Sequence, residues 1–419
     1  MRAALAAAAL AAARGAAAAR ALPAAWAHGW DTVGQLTAAH GGNNSLLAPD
    51  EVAFVSKHYA WVTLADCYGA DHGARTQEAA TLETAAALKA LDATTRVAFY
   101  FKSDMSSMLS SCSTANATWA AHPEWQLRTD AGAVVYAGTG GGVVFDSTVA
   151  SFRAFWAAHL VALAGALGAD GRPLIDGFFI DGCQQSNVSV WKGVSPARTA
   201  AVVGNTTAMV RAAQAALDAL GHDQVLIWNA MDTPFQLDNH VAASGGSMND
   251  HFGALGAINP HTGAWQPAVL QETYDVIRDP RNAGRLVMVK AWPGPLVHPK
   301  KWINNTQPTT DAGLRAAVAA ELDIALAAFL AVAEVNTWLV YSWFWQMSDY
   351  IPFGPHHTCP DAFFPQYACA LGAPLGPATS AGGVYDRDFA HAHAHVDFND
   401  RVRSGVTWKT PACAQFNRV

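Results

Sequence analysis

Acidic and basic residues recur where apolar runs stop. Asp66, Lys102 with Asp104, Asp146, Asp181, Asn229 with Asp232, Asn249 with Asp250, Lys290 and Gln346 all follow or end such runs. Only 14% of the chain is charged, so this clustering carries more weight than any one residue. Two carboxylates across a cleft can act as nucleophile and general acid. Asp181 is the sharpest candidate, because Gly177-Phe178-Phe179-Ile180-Asp181-Gly182 is an apolar strand ending in an acid and a glycine. The glycine would let backbone approach a ligand while the carboxylate projects. Asp176, near the start of that run, reads as structural. Asp250 is the second acid, and an Asx turn with Asn249 is its competing reading. Asp146 could bind substrate, and capping the next helix is the stronger alternative. Trp228, Trp292, Trp343 and Trp345 fall at late run ends, where indoles suit stacking on sugar rings. Buried aromatics are commonly core, so at least two of these four should be packing.

Other chemistries lack their residues. His391, His393 and His395 share one face of a strand, but same-face residues strung along a strand seldom converge on one ion, so no metal is expected. H-E-x-x-H, G-x-S-x-G and the phosphate-binding G-x-x-x-x-G-K-[ST] are all absent, and no cofactor is implied.

The elements that must position these residues alternate. Apolar runs occur at 59–66, 96–101, 143–147, 174–181, 225–230, 246–250, 286–291 and 337–345. Most are continuous rather than alternating, as strands covered on both faces should be. Between them lie helical patterns. Over 151–168, Phe152, Phe155, Trp156, Leu160, Leu163 and Leu167 share a face. Ser195-Pro196 opens a second helix that Gly221 closes, and Asp311 can cap a third. Eight strands separated by helices predict an α/β fold, a (β/α)8 TIM barrel spanning 28–350. Residues 351–419 predict a loop and a small C-terminal β-hairpin, with strands at 389–398 and 402–408, packed on the barrel.

Composition narrows the partners. The net charge is −7 with no dominant basic stretch, which argues against nucleic acid. The 15 Trp and low charge argue against disorder. Residues 1–27 are rich in Ala, carry Arg2, Arg14 and Arg20 and have no acid, which fits a secretory signal or an organelle transit segment. Five N-x-S/T sequons, at Asn43, Asn116, Asn187, Asn205 and Asn304, and six cysteines favour a secreted or endomembrane glycoprotein over a plastid one. No membrane is expected for the mature form, and the oligomeric state stays open. Cys359 and Cys369 flank a Pro-rich loop and are the expected local disulfide.

One family pattern matches several of these segments in order. His122-Pro123-Glu124-Trp125, Val144-Phe145-Asp146, Asp176 to Gly182, Ile227-Trp228-Asn229, Met248-Asn249-Asp250-His251-Phe252 and the late 389–408 hairpin together resemble the group called hypothetical glycosyl hydrolase 15, over roughly residues 30–410. The resemblance implies a TIM barrel akin to α-galactosidase-like and polygalactosaminidase-like enzymes. It implies a nucleophilic carboxylate ending strand four, here Asp181, and an acid/base ending strand six, here Asp250. The strand-six acid of such barrels is often Glu, and this chain has the shorter Asp. The resulting expectation is a glycoside hydrolase cleaving an O-glycosidic bond by retention, with Asp66, Lys102, Asp146, Asn229, Lys290, Trp292, Trp343 and Trp345 holding a carbohydrate substrate. A barrel that binds carbohydrate without turnover is the alternative.

Overall fold

The computed structural model describes residues 23, 26–39, 46–70, 75–104, 112–137, 142–182, 191–229, 231, 237–239, 243–253, 266–292, 311–341 and 363–417. Eight strands, most of them rich in aromatic and aliphatic residues, form one parallel sheet: β1 (Leu36–Ala39), β2 (Trp61–Leu64), β3 (Arg96–Lys102), β6 (Gly177–Asp181), β7 (Val225–Asn229), β8 (Gly246–Gly253), β9 (Leu286–Trp292) and β10 (Thr337–Tyr341). A parallel bridge between Gln35 and Leu339, with Leu339 N donating to Gly34 O at 2.9 Å, joins the last strand to the first. The helices between them are α1 (Pro49–His58), α2 (Gln77–Leu91), α3 (Ala115–Ala121), α4 (Ala150–Ala164), α5 (Pro196–Asp218), α6 (Pro267–Ile277) and α7 (Asp311–Val332). This is a (β/α)8 TIM barrel.

Local chemistry sets the helix starts. Thr76 accepts from Ala79 N to cap α2, while α1 and α5 begin at Pro49 and Pro196, where a missing N–H costs nothing. Period two then divides the strands. Leu36, Trp61, Ala98, Phe179, Ile227, Met248, Met288 and Val340 fill the barrel interior. Their neighbours, among them Val97, Phe99, Phe178, Ile180, Leu226 and Trp228, point outward against Leu88, Trp156, Leu160, Met209 and Leu217 of the helices. Leu167, expected on the buried face of α4, lies beyond the helix end and is exposed.

The expected third strand is corrected. Residues 143–147 are not in the barrel; β5 (Gly142–Val143) pairs only with β4 (Tyr136–Ala137). The run is apolar for another reason: Phe145 packs on Trp119 and Phe152, and Val144 joins Leu127, Val135 and Trp191 in a satellite core. The strand that completes the barrel is β1, four residues without a β-branched aliphatic, just after the Ala-rich segment.

The floor of the barrel is built from before β1. Trp26 packs edge-on against Trp61 at 5.1 Å with Arg96 over its ring, and His28 N donates to Val335 O at 2.8 Å.

At the C-terminal end the expected hairpin is half of a four-stranded antiparallel sheet: β11 (Thr379–Ala381), β12 (Val384–Asp388), β13 (Ala392–Asp397) and β14 (Gly405–Trp408). Its inner residues Tyr385, Ala392, Ala394, Val396 and Val406 share a core with Leu326, Phe329 and Leu330 of α7. Arg387 reaches under α7, donating to Leu330 O and Ala333 O, where a cation favours the negative end of the helix. Cys369 bonds to Cys413, not to Cys359, because β14 carries Cys413 back into the same core; Cys359 is outside the described residues. A second disulfide joins Cys67, after β2, to Cys112, beyond β3. Among the described residues no helix is long and apolar enough to cross a membrane.

Candidate active site

Five barrel strands carry a polar residue two positions beyond an interior apolar one. Phe179 leads to Asp181, Ile227 to Asn229, Met248 to Asp250, Met288 to Lys290, and Ala98 to Tyr100 and Lys102. Parallel registers, with Lys102 opposite Asp181 and Asn229 opposite Met248, bring this polar layer together at the C-terminal ends. That is where barrel enzymes work.

Asn229 links the two acids. Its Nδ2 donates to Asp181 Oδ1 at 2.8 Å and to Asp250 Oδ2 at 3.2 Å. The two carboxylate oxygens that share this amide therefore lie no more than about 6 Å apart. Tyr100 donates its hydroxyl to Asp181 Oδ2, and Lys102 Nζ stands 3.7 Å from the same oxygen. Burial, then the charges of Asp181 and Asp66, push the Tyr100 hydroxyl well above its ordinary range, so it stays a donor. Asp181 keeps 22% of its side chain exposed, whereas Asp250 is 5% exposed. Lys290 is fully buried near Asp250, and burial holds its ammonium well below the usual lysine range, with Asp250 pulling the other way.

The surrounding frame is specific. Ser103 N and Oγ both donate to Asp181 O, at 2.9 and 3.0 Å, and Trp156 Nε1 donates to Lys102 O at 2.9 Å. Gln77 of α2 donates to Tyr100 O at 2.8 Å and accepts from Cys67 N at 3.2 Å, tying the disulfide loop to β3. Gly182 has φ +79°, and a Cβ there would overlap the Asp104 carboxylate. The close neighbour of this glycine is therefore Asp104, where the sequence suggested a ligand.

The other candidates separate. Asp66 acts electrostatically on Tyr100 from the end of β2. Asp146 accepts from Thr148 N at 3.0 Å and from Arg198 at 3.1 Å, so it holds a turn and an ion pair, and Val149, not Asp146, is the N-cap of α4. Asp176 accepts from Val97 N and pairs with Lys89 at 2.7 Å, a structural role at the far end of β6. Trp228 points outward and is core. Trp292 ends β9; its side chain, Trp343, Trp345, Asp232 and Gln346 lie outside the described residues. Tyr100 was missed, although its place two residues before Lys102 puts it on the same face.

A parallel barrel with clustered carboxylates at its C-terminal mouth defines a class of enzyme-like folds. Within it, the chain belongs to the hypothetical glycosyl hydrolase family 15, whose model matches residues 89–393. No curated protein matches the chain at a significant level. Similar solved structures include the glycoside hydrolase domain of PelA from Pseudomonas aeruginosa, at 14% identity and TM-score 0.40, covering 74% of this chain and 94% of that one. Ega3 of Aspergillus fumigatus in complex with galactosamine matches at 13% identity and TM-score 0.41, covering 78% and 94%. The maltogenic α-amylase AmyB of Thermotoga neapolitana matches at 12% and 0.47, covering 87% and 85%.

Proposed function

We propose that this protein is a retaining glycoside hydrolase acting on a glycan. The observation that carries the reading is the Asn229 amide shared by Asp181 and Asp250, which keeps two acids within one sugar's reach. Asp181, the more exposed, attacks the anomeric carbon, forming a C–O bond as the glycosidic C–O bond breaks. Asp250 gives its proton to the departing oxygen, then takes one from the water that releases the sugar from Asp181. Tyr100 and Lys102 hold the nucleophile, and Asp66 lies near enough to act on the same hydroxyl.

The test is a screen of the purified chain on aryl glycosides and on algal, plant and bacterial polysaccharides. On a substrate that it cleaves, Asp181→Asn should abolish turnover with binding retained, because an amide keeps the shape and is a poor nucleophile. Asp250→Ala should spare nitrophenyl glycosides, whose leaving groups need little protonation, and azide should restore part of the loss. Near-wild-type turnover by Asp181→Asn would sink the nucleophile assignment.

The burial of Asp250 beside Lys290 favours a second reading, a barrel that binds carbohydrate without turnover. Glycan binding with no cleavage across the whole screen would select it. Export through the secretory route belongs to the same proposal, resting on the leader-like segment and the sequons.

A further inference from the structure

The C-terminal sheet shows its outer face to solvent, and three side chains with metal-ligand atoms meet there. Strand β12 alternates buried Tyr385 and Arg387 with Asp386 and Asp388, and β13 alternates buried Ala392, Ala394 and Val396 with His393 and His395. Antiparallel register sets Asp386 opposite His395 and Asp388 opposite His393. Along one strand the two imidazoles would stand apart. Here both lean toward Asp386: His393 Nε2 lies 3.2 Å and His395 Nδ1 2.8 Å from its Oδ1. The ligand atoms of Asp386, His393 and His395 all fall within 4.8 Å of one another.

We propose that Asp386, His393 and His395 form a zinc site on the outer face of this sheet. Zinc with bonds of ~2.0 Å in tetrahedral geometry needs its ligand atoms about 3.3 Å apart. The two nitrogen–oxygen separations are already close to that, so small side-chain rotations open room for the ion. Two imidazoles and one carboxylate are ligands that zinc accepts, with water completing the shell. A second feature points the same way. The other ring nitrogen of His393, Nδ1, lies 3.2 Å from Asp388 Oδ1, and Lys409 Nζ holds that oxygen at 3.0 Å. A carboxylate behind a ligating imidazole fixes its orientation and raises its basicity, an arrangement that recurs around zinc. His391 precedes β13 and lies outside the cluster. The ion would clasp β12 to β13 across the sheet that covers α7, away from the carboxylates at the barrel mouth.

The test is isothermal titration of the full, tag-free, chelator-stripped chain with zinc chloride at about pH 7.5, with magnesium chloride as a parallel arm. One zinc should bind per chain and magnesium should not. His395→Ala and His393→Ala should each abolish binding. Asp388→Asn should weaken it roughly 10–100-fold, as loss of an orienting carboxylate does, and His391→Ala should leave it unchanged. Circular dichroism of each variant confirms the fold, which these partly exposed positions should tolerate. Zinc binding that survives both histidine substitutions, equal binding of magnesium, or no zinc bound at all overturns the proposal.

Discussion

Asn229 is the residue on which the geometry of the carboxylate pair depends. A hydrogen bond to a charged group is worth about 1.5–3 kcal/mol, and each ~1.4 kcal/mol is tenfold in rate. Asn229→Ala should therefore cut kcat by roughly 10- to 100-fold or more with a smaller change in KM, measured on any cleaved glycoside. An unchanged kcat would mean that the amide bridges the acids without serving them. Tyr100→Phe removes one donor to Asp181 and should cost about tenfold in kcat by the same arithmetic. Much of this site was legible in the sequence, because carboxylates and amides ending apolar runs stand out where charge is scarce. What was not legible is which way a polar residue turns. Asp146 ends an apolar run as Asp181 does, yet it pairs with Arg198, 52 residues later, and holds the turn at Thr148. Tyr100 reads as one more aromatic in a strand until its hydroxyl is seen donating to Asp181.

At the scale of elements, the close approach of Gly182 to Asp104 fits the ends of β3 and β6 together. Gly182→Ala places a Cβ against Asp104 in a conformation that suits only glycine, so it should destabilise by more than about 1 kcal/mol, read as a lowered Tm. In the first turn of α2, Glu78 is buried. Burial opposes its charge, but contact with His159 and donation from Ser113 and Thr114 N outweigh that and bring its pKa down to about 2. A carboxylate whose folded pKa lies below its ordinary 4.5 stabilises the fold above that pH and loses the contribution as pH falls toward 2. Glu78→Gln should therefore lose about 3 kcal/mol near neutrality. Its melting temperature should approach that of the parent as both are titrated from about pH 5 to about pH 2, and a constant gap between the two curves would refute the assignment. The order of strands and helices was largely readable from continuous apolar runs. It failed where an apolar run serves a satellite core, at Val144, and where a barrel strand is short and Ala-rich, at 36–39. The disulfide partner of Cys369 could not be read, since only the folding-back of β14 brings Cys413 near.

For the whole molecule, the two disulfides tie down separate regions, one the loops beside Tyr100 and the other the C-terminal sheet. Dithiothreitol should lower Tm, since closing loops of this length is worth about 2–4 kcal/mol each in favourable cases. A further outcome concerns the start of the chain. Residues 1–27 read as a leader, yet Trp26 seals the floor of the barrel with 6% of its surface exposed. Under the proposed export, mass spectrometry of the protein from its native host should therefore find an N-terminus between about Ala19 and Pro23, ahead of the tryptophan. The same feature dictates how the protein should be made in the laboratory. A recombinant gene opened at Gly29, the first codon after the leader-like stretch and His28, would leave Trp61 and Trp338 facing solvent. Such a product should collect in inclusion bodies or bind hydrophobic dyes, while one opened at Pro23 stays in the soluble fraction.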